Sequence, residues 1–331
     1  MAIKKAPSPR RLDDAALPYA NMSAAAFSPG GTQLVTGNAS GELYLWDVAS
    51  GELLCQGKTG GSDEMVIVHT SKTRFIAGSK TLHTYDAQSL KRIAKEPRYK
   101  GHKASPNAIA LAPDGRTLVS GGGGFVYTQD RFVHLWDVAT GGAPRVRTKL
   151  ARQVGAGGVC FDPKGRWVAT SGEDLRIRLH DPADLTLLDE VEVAPKPAHG
   201  YPALQSLVSD GNALAVTDHT GRIFCLDVDL TRVREIAPPT PQPGRALEGT
   251  YATGLCFAPG SKLIIPRTYA YEDGYQGFLQ IYDPKTGTIL HQHEAELVDV
   301  SETLICPNNQ WLLVLSSQGA LLWPIEDILG A

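Results

Sequence analysis

Seven times along this chain a short apolar run closes on one bulky residue followed by aspartate or, once, proline. The endings are Trp46-Asp47, Tyr85-Asp86, Trp136-Asp137, His180-Asp181, Leu226-Asp227, Tyr282-Asp283 and Trp323-Pro324. They recur roughly every 40 to 55 residues, a period at which each unit is one supersecondary element that buries its apolar face only against its neighbours. Repetition at this spacing outranks the length of 331 residues, which alone suggests about two domains.

Ahead of most endings stands a tight-turn signature: Phe27-Ser28-Pro29-Gly30-Gly31, Leu111-Ala112-Pro113-Asp114-Gly115, Phe161-Asp162-Pro163-Lys164-Gly165, Val208-Ser209-Asp210-Gly211 and Phe257-Ala258-Pro259-Gly260. Proline presets φ and glycine accepts positive φ, so these are hairpin turns. A second turn follows the endings, as in Asp47-Val48-Ala49-Ser50-Gly51, Asp137-Val138-Ala139-Thr140-Gly141 and Asp283-Pro284-Lys285-Thr286-Gly287, where aspartate can bond its own backbone a few residues on. The short apolar runs between turns, such as Gln33 to Thr36, Leu43 to Trp46, Trp167 to Thr170 and Leu263 to Ile265, read as strands of a closed or radial all-β array rather than βαβ units.

The most complete copy runs from Gly101-His102 through Leu118-Val119-Ser120 and Asp130 to His134-Leu135-Trp136-Asp137. In order and spacing it resembles the repeat of the WD-repeat β-propeller family. The resemblance covers about residues 11–323 and implies an all-β, seven-bladed β-propeller of four-stranded antiparallel blades. It also implies that His102, Ser120, Asp130 and Trp136 form a buried, hydrogen-bonded structural tetrad. Taken by themselves, serine, histidine and aspartate are the parts of a nucleophilic relay. In the resembled family this set instead satisfies indole and imidazole in a low-dielectric setting, where an unpaired group costs ~1–3 kcal/mol. Blade 4 keeps Thr170 and Asp174 but has His180 at the tryptophan position, and blade 1 keeps Thr36 and Trp46 with Ser40 at the aspartate position. A tetrad is expected in blade 3 alone.

Blade 2 is the weakest copy, since its first turn, Thr70-Ser71-Lys72-Thr73, lacks proline and glycine. After Trp323-Pro324 a regular fourth strand is not expected, because proline cannot donate to a ladder. Counting back from Phe27 puts an equivalent strand near Arg11 to Ala15, which would complete the last blade and close the ring without an unpaired inner edge. Residues 1–10 are expected as a disordered tail and residues 11–331 as a single propeller domain.

Charge is nearly balanced, with 32 basic and 35 acidic residues, so bulk electrostatics makes nucleic acid an unfavoured partner and gives no reason for a membrane. Residues 1–16 hold no apolar run long enough for a signal-peptide core, no other stretch could span a bilayer, and a cytoplasmic location is the expectation. The 5 cysteines show neither CxxC nor Cys/His ligand spacing and read as reduced core residues. His291 and His293 share one strand face and could ligate a metal, yet no third ligand is apparent, so exposed strand polarity is expected. No GxSxG elbow appears, and the run Gly121 to Gly124 lacks the lysine and helix of a phosphate cradle. No catalytic residue, cofactor or metal is expected, and the chain is not expected to be an enzyme.

Comparison of the seven copies points to one end of the blades, where strands 2 and 3 turn and where chains cross between blades. There Gly121–Asp137 and Arg267–Asp283 are long, and two proline-rich links run from Val193 to Tyr201 and from Pro238 to Arg245. The residues expected to bind a partner are Arg98, Tyr99, Lys100, Phe125, Tyr127, Tyr201, Arg245, Tyr251, Arg267, Tyr269, Tyr271, Glu272, Asp273 and Tyr275. Tyrosine and arginine dominate interface energetics, and proline limits the entropy lost on docking. The leading expectation is a non-catalytic scaffold that binds a protein or peptide, leaning acidic because of Arg98, Lys100 and Lys103, within a larger assembly. The alternative is a propeller enzyme or small-molecule binder, lyase- or lactonase-like, using the central channel; the sequence offers no recognisable constellation of carboxylates, histidines or metal ligands for it.

Overall fold

In the computed structural model every one of the seven recognised endings closes the third strand of a sheet, opposite an apolar residue of the second. Trp46 faces Leu34, Tyr85 faces Phe75, Trp136 faces Leu118, His180 faces Val168, Leu226 faces Leu214, Tyr282 faces Leu263 and Trp323 faces Leu312. The described residues are 4–12, 22–61, 65–122, 130–150, 154–195, 203–218, 220–236, 246–251, 254–271, 274–316 and 319–330. Among them seven sheets, each built on four antiparallel strands, form the blades of a seven-bladed β-propeller. The chain divides into two compact units, Ser23–Leu207 and Met1–Met22 with Val208–Ala331.

The first unit carries blades 1 to 4. Blade 3, for example, is ordered Pro106–Leu111, Thr117–Gly122, Phe132–Asp137 and Val146–Lys149. Its second and third strands are buried almost throughout, whereas the outer strand alternates between half-buried and exposed. That difference is physical: the middle strands are covered on both faces and read as continuous apolar runs, the outer one on a single face. Apolar side chains interlock between successive blades, as where Val66, Ile76, Leu82 and Tyr99 of blade 2 meet Leu118 and Trp136 of blade 3. The anticipated first turns are present, with Gly31 N–H donating to Ser28 O at 2.8 Å and Gly115 N–H to Ala112 O at 2.9 Å. Both glycines have φ near 70°, as such turns require.

The second unit carries blades 6 and 7, with most of blade 5. Blade 6 departs from the expectation of a long loop between residues 267 and 283. Instead Lys262–Tyr271 and Gly274–Tyr282 run on as one hairpin, and Ala246–Tyr251 pairs with its extended part. Thr268, Tyr269 and Tyr271 are strong strand formers, and a ladder pairs backbone groups that a loop would leave to water.

The N-terminus corrects a second expectation. Lys4–Lys5 pairs in parallel with the outer strand of blade 6, Ile289–Ala295, and Ala6 N–H donates to Glu294 O at 2.8 Å. The segment is therefore ordered from residue 4, because it satisfies the edge of that strand. Arg10–Leu12 then pairs antiparallel with Gly319–Pro324 and completes blade 7, where the sequence places a closing strand. Residues 13–15 of that expected strand lie outside the described residues. After Pro324 the chain forms a short helix, Ile325–Leu329, that buries Ile325 and Ile328 and stops at left-handed Gly330. No helix among the described residues is long and apolar enough to cross a membrane.

Candidate functional site

Blade 3 holds the densest group of functional side chains. His102 precedes the inner strand, Ser120 lies in the second, Asp130 precedes the third and Trp136 ends it. His102 Nδ1 is 2.6 Å from Asp130 Oδ2 and its Nε2 is 2.5 Å from Ser120 Oγ. Lys103 N–H also donates to Asp130 Oδ2, at 2.9 Å. Burial pushes the Asp130 carboxyl up, but its bond and charge interaction with His102, together with Lys103 N–H, hold it below its ordinary value. Gly122 permits this approach, since a Cβ there would stand 2.6 Å from Asp130 Cγ.

The fourth member departs from the expected tetrad. Among the described residues Trp136 Nε1 has no hydrogen-bond partner, and the indole packs instead against His102 and His134, with centroids 5.4 and 5.2 Å away. In blade 1 the corresponding arm is made, for Trp46 Nε1 donates to Thr36 Oγ1 at 2.9 Å. In blade 4 His180 Nε2 lies 3.0 Å from Thr170 Oγ1, so imidazole stands in for indole. There Asp174 pairs with Arg178 rather than with a histidine.

Serine, histidine and aspartate are therefore linked in the order of a relay. Access decides what that can do: Ser120 is 0 % exposed, and the ring of His134 lies 4.3 Å from that of His102. A substrate carbonyl cannot approach a buried Oγ, whereas a network that satisfies buried polar groups needs no access. His102, Asp130 and His134 also offer ligand atoms within 4.8 Å of one another. Both His102 nitrogens are already hydrogen-bonded, which leaves that ring no lone pair for a metal. Ser120→Ala should lower stability by ~1–3 kcal/mol and change no hydrolysis of acyl esters; turnover by the wild-type protein that vanishes in the variant would reassign the group.

The residues expected to bind a partner separate into three groups. Arg98 and Lys100 are exposed, but they lie in the outer strand of blade 2, Arg98–Lys100, rather than in a link between blades. Tyr275 is 61 % exposed. Three others are turned inward and cannot meet a partner at the surface. Tyr99 donates to Val138 O at 2.7 Å and packs edge-on to Trp136. Tyr269 packs against Phe278. Arg267 is 0 % exposed. The backbones of Tyr251 and Tyr271 lie in strands of blade 6, while Phe125, Tyr127, Tyr201, Arg245, Glu272 and Asp273 lie outside the described residues. The reading of His291 and His293 as exposed strand polarity changes too: His293 is buried, and its Nε2 lies 2.9 Å from Ile328 O of the C-terminal helix.

The family described as WD domain, G-beta repeat, matches residues 19–47, 94–137 and 154–181. Those matches fall on blades 1, 3 and 4, the copies that keep most of the serine or threonine, aspartate and tryptophan pattern. The chain is thus a seven-bladed β-propeller that matches the WD-repeat family at three of its blades. Propellers of this family typically serve as scaffolds for binding proteins or peptides.

Proposed function

We propose that the chain is a non-catalytic scaffold that recruits a protein or peptide through the extended hairpin of blade 6. The observation that carries this reading is length. The two hairpin strands run 10 and 9 residues, against 5 or 6 for the corresponding strands of blades 1 and 4. Tyr275 lies beside the turn with most of its surface in water. A paired hairpin presents such an anchor with little entropy left to lose, and a tyrosine so placed is a characteristic hot spot. Tyr271 ends the first of the two strands.

The test uses a partner captured on immobilised full-length protein. Tyr271→Ala combined with Tyr275→Ala should reduce its affinity at least tenfold, about 1.4 kcal/mol, at an unchanged melting temperature. Affinity that survives that pair but is lost in Lys164→Ala with Lys285→Ala, at the other end of their blades, would reject the surface.

A further inference from the structure

Arg267 is among the largest side chains wholly enclosed by the protein. Its guanidinium donates from Nη1 to Gly221 O at 3.1 Å and lies beside the Tyr282 phenol. Nε–H and Nη2–H, the parallel donors along one edge of the fork, have no partner among the described residues. Several other arginines are paired with carboxylates. The same edge of Arg166 grips Asp162 through Nε at 2.6 Å and Nη2 at 3.0 Å. Arg222 Nε meets Asp218 at 2.7 Å, and the buried Arg178 is held by Asp174 and Glu190. Among the described residues no ion pair is made by Arg267.

Among the described residues, the side chains that share a sheet face with Arg267 are neutral and bonded to one another. Strand register puts Leu263, Ile265, Arg267 and Tyr269 on one face with Tyr282, Gln280 and Phe278. Tyr282 donates to Gln280 Oε1 at 2.9 Å, and Gln280 Nε2 donates to Gln292 Oε1 at 3.3 Å and to Tyr269 at 3.4 Å. Burial pushes the Tyr282 phenol up to about 12, with the nearby charge of Arg267 pulling the other way. Nothing in this group cancels the guanidinium charge. A buried cation without a counter-charge is strongly destabilising, and a planar fork with both donors unmet is the complement of one carboxylate.

We propose that Arg267 binds the carboxylate of a small organic acid, held in bidentate fashion by Nε and Nη2, beside the blade 5 turn at Gly221. One positive charge matches one carboxylate; a phosphate dianion would need further donors, and those of Tyr282 and Gln280 are already engaged. Enclosure of the arginine calls for a small ligand rather than the side chain of a docked protein. The assignment does not depend on the partner surface of blade 6.

Acetate is the probe. The dialysed full-length protein is melted while acetate replaces chloride at constant ionic strength in a bis-tris buffer, and the same exchange is made on Arg267→Met and Arg267→Lys. The wild type should show a saturable rise of about 3 °C, and calorimetric titration should give one acetate per chain. Arg267→Met should show no saturable rise and should melt no lower than the wild type without acetate, since it removes an unmatched buried charge. Arg267→Lys keeps the charge but loses the fork, and should bind at least tenfold more weakly. An equal rise in both variants would reveal a general salt effect and overturn the site. So would the absence of saturable heat and melting shift in the wild type, whether or not the variants fold.

Discussion

Removing residues 1–12 should lower the melting temperature by about 10 °C, whereas removing residues 1–8 should cost only a few degrees. Leu12 is 1 % exposed, and burial of a leucine stabilises by ~2 kcal/mol. The pairing of Arg10–Leu12 with Gly319–Pro324 adds backbone hydrogen bonds worth ~1 kcal/mol each. Its loss also exposes the edge of an apolar third strand that contains Leu321, Leu322 and Trp323. The shorter deletion removes the pairing of Lys4–Lys5 and the bond from Trp323 Nε1 to Pro7 O at 2.8 Å. Sequence reading makes residues 1–8 dispensable; this bond is why a measurable cost is expected. Scanning calorimetry decides the point, and identical melting of the 1–12 deletion and the intact chain would deny the strand any role in holding blade 7.

Acidification between pH 7.5 and 5 should destabilise the protein, well above the range in which carboxylates protonate. Burial holds the His134 imidazole down at about 4, with His102 and Arg147 acting in the same direction and Asp130 against them. His180 is likewise held at about 4 by burial, opposed by its bond to Leu185 O and assisted by Arg178. In the unfolded chain both return to about 6.5. Their folded values are depressed, so the stability tied to their neutral forms is complete above about 6.5 and is lost as pH falls through that value towards 4. Each ring contributes a slope of up to ~1.4 kcal/mol per pH unit in that window, which for the two should bring the melting temperature down by about 5 °C or more at pH 5. Asp86, Asp137 and Asp283, lowered chiefly by their turn hydrogen bonds, add a separate loss only below about pH 4. His134→Phe is the diagnostic variant, because Nδ1 of that ring has no partner to lose. It should melt close to the wild type at pH 8 and above it at pH 5; parallel pH profiles would remove His134 from the explanation.

The blades were legible because their signals are local. A turn such as Pro113-Asp114-Gly115 and an ending such as Trp136-Asp137 each fix a few backbone angles by short-range chemistry, and their recurrence supplies the count. Side-chain direction was less legible. Arg267 and Tyr269 have the composition of an interface, but in a strand the choice between solvent and interior is set by register, which a single residue does not reveal. The same gap concealed the burial of His293 beneath the C-terminal helix. The length of the blade 6 hairpin carried a signal that could have been read, since Thr268, Tyr269, Ala270 and Tyr271 contain strand formers and no turn residue. That Arg267 lacks a carboxylate had no sequence signature at all, because the partners of other arginines lie at distances as short as Asp162 to Arg166 and as long as Arg11 to Glu296.

The bond between Trp323 and Pro7 joins residues 316 positions apart. During translation the segment that finishes blade 7 is made before blade 1 and used after blade 6. At ~5–20 residues per second it waits some tens of seconds for its partner strand, and throughout that interval Leu12 has no native neighbour to cover it. Blades 1 to 4 can assemble in passing, through contacts between neighbours in sequence, but blade 7 cannot be completed until Gly319–Pro324 has been made. A chaperone that shields the nascent N-terminus should therefore raise the yield of native protein more than one acting on any later stretch, and refolding of the full-length chain in vitro should end with a slow phase that the 1–12 deletion lacks.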